Sequence, residues 1–383
     1  MDALILSCGT GGGHNSAGAA IAEELTRRGH RAVMINPYML HSKRVAGWIN
    51  RLYIILARKA PEMFGALYGA GELYRRLPFR SPVYFANRGM VPVMQEYLSK
   101  RHFDVIIMPH LFPAEILTNM KEQGISLPAT IFVATDYICI PFTEETDCDA
   151  YVIPSEGLEK VFVDYGLPAE KLHPLGIPVQ SRFREKEDRE KVRIRLGLEP
   201  DKKYILIAGG SMGGGKIRRA VQILADETAD RKDTELIVIC GNNRRLYREL
   251  KAKALPGMRV LGYTDDMAAY MKAADLFVTK PGGLSSTEAA VCGVPMVHVA
   301  AIPGCEIYNA RYFSSRGMSR SCPTSRSGLH AAVEMLDDRK SCETMLQRQQ
   351  ELVHPDAAAQ ICELAERLSQ KKREMSVKKE PQG

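Results

Sequence analysis

Short apolar runs separated by helix-length amphipathic stretches recur along this chain in two series, and this alternation limits the fold more than any other feature. Strands are expected at residues 3–7, 31–35, 105–108, 130–134 and 151–153, and again at 204–208, 235–240, 259–261, 276–278 and 296–299. Strands that alternate with helices need crossover connections, which implies parallel sheets with helices on both faces. Two such series predict an α/β chain of two doubly wound, Rossmann-like domains. A length of 383 residues agrees, since it exceeds what one ordinary core accommodates. A charged stretch at 184–195 separates the series, so the domains are expected at 1–180 and 181–353, with the linker near Ser181. Residues 354–370 carry Ala358, Ile361, Leu364, Ala365 and Leu368 at helical spacing. The Lys/Glu-rich residues 371–383 are expected to form a disordered tail.

Apolar residues make up 45% of the chain and charged residues 25%, the balance of a soluble globular protein. Its longest apolar runs have the length of strands, too short to span a bilayer. Met1 leads directly into the first strand, without the charged start and cleavage site of a signal peptide. A cytoplasmic location is expected. The nine cysteines are scattered, with neither a Cys-x-x-Cys pair nor a close cysteine–histidine grouping, which favours reduced structural thiols over a zinc site. No carboxylate cluster suggests another metal.

The positive charge is concentrated in one place. Between Lys43 and Arg101 there are eleven Lys/Arg and three Glu, a local +8 against +7 for the whole chain. Within this segment Val45, Trp48, Ile49, Leu52, Ile55 and Leu56 share a helical face, while Arg44, Arg51 and Arg58 recur beside it every seven residues. A basic amphipathic helix holding the only tryptophan suits the headgroup region of an anionic membrane. The plainer alternative is a core helix with a solvated basic side. Neither a nucleic-acid reader motif nor a stacking platform accompanies the charge, so no nucleic-acid partner is expected.

Three glycine-rich turns follow strands. Gly9-Thr10-Gly11-Gly12-Gly13-His14 puts a histidine where a dinucleotide fingerprint needs its third glycine, and the next strand ends in Asn36-Pro37 with no acid for a ribose. His14 at a helix start reads as a neutral general base, or as a cap or anion ligand without chemistry. Thr135-Asp136-Tyr137 follows the fourth strand; Asp136 orients His14, contacts an acceptor, acts as the base, or caps a turn. Gly210-Ser211-Met212-Gly213-Gly214-Gly215-Lys216 begins like a P-loop, but Ile217 replaces the magnesium-binding hydroxyl. Its amides still suit a diphosphate. Lys280-Pro281-Gly282-Gly283 ends a buried strand at 275–278, and a helix is expected to open on Ser285 and Ser286 with Glu288 in its first turn. That is the pattern of a phosphate-and-diol site.

In order and spacing these motifs resemble the diacylglycerol glucosyltransferases and monogalactosyldiacylglycerol synthases, relatives of the peptidoglycan N-acetylglucosaminyltransferase. The resemblance implies an inverting glycosyltransferase of GT-B type, its two domains facing a central cleft, and a C-terminal helix that crosses back onto the N-terminal domain. It implies His14 as catalytic base, with Asp136 beside it, and an acceptor and membrane surface including Gly12, Gly13, Arg44, Trp48, Arg51 and Arg58. A UDP-hexose donor would lie on Gly210, Ser211, Met212 and Gly213, on Asn242 and Lys280, and on Gly282, Gly283 and Ser285. Glu288 would hold the ribose. Gly304, Cys305, Glu306 and Asn309 would complete the donor site. Cys305 stands where the family commonly has a glutamine for the hexose, and a thiol is a weak hydrogen-bond partner. Donor sugar identity is therefore open. The implied reaction moves a hexose from the UDP-sugar to diacylglycerol at the inner face of the cell membrane, without cofactor or metal. The alternatives are a polyprenyl-linked wall intermediate as acceptor, or a non-catalytic lipid- or nucleotide-binding regulator.

Overall fold

The computed structural model describes residues 1–9, 12–41, 61–210, 217–253 and 255–377. Its described residues fall into two compact units, one containing residues 1–41, 66–180 and 354–377, the other residues 61–65 and 181–353. Each is built on a six-stranded sheet whose pairings are all parallel.

In the first unit the strands β1 (Asp2–Leu6), β2 (Arg31–Ile35), β3 (Val105–Met108), β4 (Ala129–Val133), β5 (Ala150–Val152) and β6 (Leu172–His173) are ordered β2-β1-β3-β4-β5-β6. Strands β3 and β4 are buried along their whole length and apolar except for Thr130, as suits strands covered on both faces. The order reverses between β1 and β3. At such a switch point the connections leave in opposite directions and open a crevice at the carboxyl edge.

The second sheet runs β12-β11-β10-β7-β8-β9, from β7 (Lys203–Ala208), β8 (Thr234–Ile239), β9 (Met258–Leu261), β10 (Leu276–Thr279), β11 (Met296–His298) and β12 (Arg320–Ser321). Its switch point lies between β7 and β10, whose following turns begin Gly209-Gly210 and Lys280-Pro281-Gly282. Behind them, the buried Arg193 donates to the carbonyls of Ala273 and Pro200 and pairs with Asp275 at 2.7 Å. Asp275, read as the first residue of a strand, instead precedes β10 and accepts the Tyr204 amide at 2.7 Å.

All ten strands read from the sequence are present, with ends within one residue. The edge strands β6 and β12 were not foreseen, because two residues are too few to show a period.

The helix Ala357–Val377 belongs to the first unit. Its Ile361, Cys362, Leu364 and Ala365 lie in one buried cluster with Ile21 and Leu25 of the helix Gly12–Arg27 and with Val105, Ile131 and Val152 of the sheet. Polar contacts continue along it. Glu363 meets Arg28 at 3.0 Å, Glu366 meets His30 at 2.8 Å, and Lys372 meets Asp149 at 3.3 Å. Gly176 allows its near end to approach: φ is +95°, and a Cβ there would stand 2.9 Å from His354 Cβ. The expectation of disorder from residue 371 is corrected for 371–377, while residues 378–383 lie outside the described residues. The helix continues to Val377 because Lys372 and Arg373 find fixed carboxylates, Asp149 and Asp104.

Truncating the fully buried Ile361 to alanine is expected to destabilise the protein by about 2–5 kcal/mol, through lost transfer energy and an unfilled cavity. Urea unfolding followed by circular dichroism measures it.

Candidate functional site

Three strand ends at the first switch point bring together the groups of one site. After β1 the helix Gly12–Arg27 starts with Gly12 and Gly13, and His14 is its third residue. After β3 come Pro109 and His110; after β4, Thr135 and Asp136. His14 Nδ1 is 2.7 Å from the Pro109 carbonyl oxygen and 2.9 Å from Thr135 Oγ1. A carbonyl only accepts, so Nδ1 carries the hydrogen and Nε2 holds a lone pair. The tautomer of a base is thus fixed by a main-chain partner.

His110, which was not singled out in the sequence, is the second imidazole. Its ring meets that of His14 edge-on, with centroids 4.5 Å apart. His110 Nδ1 accepts the Phe112 amide at 3.1 Å and so caps the helix Leu111–Glu122. Its hydrogen is therefore on Nε2, the opposite tautomer from His14. Both rings and Asp136 line a recess whose other walls include Leu111, Phe132, Ile138 and Phe162. Burial holds the His14 pKa below the ordinary 6.5, opposed by the charge of Asp136 and by the Pro109 hydrogen bond. Burial and the proximity of His14 hold His110 well below the same value. A helix terminus was the expected cause for His14; desolvation is the larger one. The signal for His110 and Thr135 was their position directly after β3 and β4, at the edge where open sheets bind ligands.

In the second unit the helix Gly283–Cys292 begins two residues earlier than read, at Gly283 with Gly282 as its N-cap. Ser285 and Ser286 are its third and fourth residues, and Glu288, its sixth, is in the second turn. The physical reason is that Ser286 faces the core: its hydroxyl is 2.9 Å from His298 Nε2. The extended backbone of Gly282 takes the cap position without a side-chain bond. The first-turn amides of Gly283, Leu284 and Ser285 therefore have no helical acceptor behind them. Glu288 is buried, and burial pushes its pKa up to about 8, opposed by the Arg182 guanidinium.

Lys280 pairs closely with Glu306, whose second oxygen accepts the Ile302 amide at 2.9 Å. Gly210 has φ +73°, and a Cβ on it would lie 3.1 Å from Lys280 Cε. Gly304, at φ 119°, is the N-cap of the helix Cys305–Ser315, where Cys305 is the first residue and only partly buried. Asn309 donates to the Pro281 carbonyl at 3.1 Å. Lys280, Glu306 and Asn309 thus meet around the turn after β10. Asn242 is exposed in the turn after β8, whereas Asn243 caps the next helix through the Leu246 amide at 3.1 Å. Ser211, Met212 and Gly213 lie outside the described residues, as do Arg44, Trp48, Arg51 and Arg58.

A family profile described as monogalactosyldiacylglycerol (MGDG) synthase matches residues 14–179, and one described as glycosyltransferase family 28 C-terminal domain matches residues 204–361. The chain is 25% identical over 347 residues to a processive diacylglycerol beta-glucosyltransferase of Bacillus licheniformis, covering 89% of this chain and 88% of that one. It is 29% identical over 259 residues to a protein of the same name from Staphylococcus carnosus, covering 67% and 65%. Among solved structures, MurG of Acinetobacter baumannii matches with a TM-score of 0.60 at 16% identity, over 96% of this chain and 99% of that one, a likeness of fold.

Two titrations follow from this geometry. By nitrogen-15 NMR, His14 is expected to be protonated at Nδ1 at neutral pH and to titrate below 6.5. For Glu288, the folded state keeps its proton between the ordinary 4.5 and about 8, while the unfolded state has released it. Stability then falls as pH rises through that window. Glu288→Gln removes the effect and is expected to stabilise the protein above pH 8 by on the order of 1–3 kcal/mol, as read by unfolding at pH 5 and 9.

Proposed function

We propose that this chain, which belongs to the family joining a monogalactosyldiacylglycerol-synthase domain to a glycosyltransferase family 28 C-terminal domain, transfers a hexose from a UDP-sugar to the free hydroxyl of diacylglycerol. The acceptor class is that named in its relatives. The observation that carries the reading is the hydrogen bond from His14 Nδ1 to the Pro109 carbonyl, which leaves Nε2 as a proton acceptor in a largely apolar recess.

In this mechanism the acceptor hydroxyl enters the recess of the first unit and gives its proton to His14 Nε2. His110, with its hydrogen on Nε2, offers the complementary donor to the same oxygen. Asp136 stabilises the imidazolium that forms, since its charge already acts in that direction. The acceptor oxygen bonds to the anomeric carbon as the bond to the diphosphate breaks, and configuration inverts.

The leaving diphosphate is held in the second unit by the first-turn amides of Gly283, Leu284 and Ser285 and by Lys280, a preorganised set of positive groups. Gly210 permits the backbone to come close. Glu288 takes the ribose hydroxyls. Glu306, with Asn309 behind it, takes the hexose together with Cys305. Because the amides and Lys280 supply the counter-charge, turnover is expected to continue in excess chelator. The basic segment through Arg44, Trp48, Arg51 and Arg58 attaches the enzyme peripherally to the inner face of the cell membrane.

Release of UDP from UDP-glucose, UDP-galactose or UDP-N-acetylglucosamine, with diacylglycerol dispersed in detergent, tests the proposal. Turnover with one donor supports it; UDP binding without turnover for any donor refutes the acceptor. His14→Ala is expected to lower kcat by roughly 10²–10⁴-fold while UDP affinity, measured by calorimetry, stays the same.

A further inference from the structure

The turn after β10 and the loop before the helix Cys305–Ser315 share one carboxylate. Glu306 is the second residue of that helix, in its first turn, where the unpaired amides favour an acid. One of its oxygens stays within its own loop, on the Ile302 amide at 2.9 Å. The other is in close contact with Lys280 Nζ. Glu306 is thus fixed to the chain through one oxygen and lends the second to a lysine.

Lys280 has little freedom to move away. A Cβ on Gly210 would lie 3.1 Å from its Cε, and one on Gly282 would lie 3.5 Å from its Nζ, so the side chain runs between two glycine turns. It is 14% exposed, and the side chain of Glu306 is 10% exposed. Asn309, one helical turn beyond Glu306, ties the two segments together by donating to the Pro281 carbonyl at 3.1 Å. Nζ therefore lies beside Gly282, the N-cap of the helix Gly283–Cys292. A cation at that end of a helix is unfavourable unless an anion accompanies it. That anion is the Glu306 carboxylate.

A diphosphate on the same amides takes over this role, and two anions then face one lysine. What happens next depends on what replaces the lysine at Glu306. A hexose attached to the diphosphate brings hydroxyls that donate to the carboxylate, a charge-assisted bond. UDP brings no such hydroxyl, and its terminal phosphate carries a further negative charge near neutral pH. Breaking the pair then leaves a poorly solvated carboxylate uncompensated, which is the costly way to separate a buried pair.

We infer that Glu306 sets the preference of the donor site for substrate over product. It yields Lys280 to the diphosphate while a hexose hydroxyl engages its freed oxygen, and takes Lys280 back from UDP after the hexose has left. Glu306 thereby promotes product release, in addition to holding the hexose. The inference rests on the reading of this turn as the donor site.

Calorimetric titration of the purified chain without acceptor tests it, using UDP and, separately, UDP-glucose, UDP-galactose and UDP-N-acetylglucosamine. Glu306→Gln is expected to bind UDP roughly 10-fold more tightly than the wild type, and none of the UDP-sugars more tightly. Glu306→Asp keeps the charge but draws it back from Lys280 by one methylene. It is expected to tighten UDP binding as well, which loss of negative charge does not explain, and it decides the matter if Glu306→Gln lowers the melting temperature. In a Lys280→Gln background, Glu306→Gln is expected to leave UDP affinity unchanged. Equal tightening of UDP and the UDP-sugars by Glu306→Gln overturns the inference, as does wild-type UDP affinity in both Glu306 variants. UDP binding that Lys280→Gln leaves at wild-type strength removes Lys280 from the donor site, and with it the reading on which the inference rests. The two failures are therefore distinguishable.

Discussion

A parallel sheet covered by helices on both faces leaves a ligand only its carboxyl edge, and the strand order then decides which turns meet there. In the first unit β1 and β3 are neighbours although about a hundred residues separate them in sequence. That pairing is what brings the Pro109 carbonyl within 2.7 Å of the His14 ring. The adjacent β4 adds Thr135 in the same way. In the second unit the pairing of β7 with β10 brings Gly210 against Lys280. The constellations are therefore consequences of topology, and the glycines are required because these turns pack backbone closely against side chains.

Low polarity at both edges favours neutral forms. His14 and His110 are held below their ordinary range, and Glu288 above its own. Lys280 and Glu306 are the contrasting case, a basic and an acidic side chain in close contact, with the Ile302 amide on the second carboxylate oxygen. Removing one partner from such a pair leaves a poorly solvated charge, which is why pairs of this kind are far more sensitive to single substitutions than exposed ones. An anion arriving at Lys280 competes directly with Glu306.

The strands and the glycine turns were legible because they depend on local pattern: continuous apolar runs, then glycine, then a helical period. His14 and the turn after β10 were found that way. What depended on tertiary contact was not legible. Ser286 looks like a helix cap until His298 is seen to engage it, and a Lys/Glu-rich tail looks disordered until Asp104 and Asp149 are placed beside Arg373 and Lys372. His110 lay at a readable position, one residue past Pro109, but its partner His14 is 96 residues away. The exposure of Leu73, Leu77, Phe79 and Phe85 was hidden for a related reason. Apolar period alone does not say which side of a helix faces inward, and here the ion pair of Glu72 and Arg75 with Tyr165 decides it.

The position of the helix Ala357–Val377 in the core of the first unit has a consequence for how the protein is made. Ile361, Cys362, Leu364 and Ala365 complete a cluster whose other members lie between Ala3 and Val152. During synthesis, the ribosome must produce the entire second unit before that cluster can close, a wait of roughly 10–40 s at usual elongation rates. Throughout this interval the nascent first unit presents an apolar sheet face without its final cover. A chaperone that shields such faces therefore has a defined window of action, opening when β5 emerges and ending as the last helix docks.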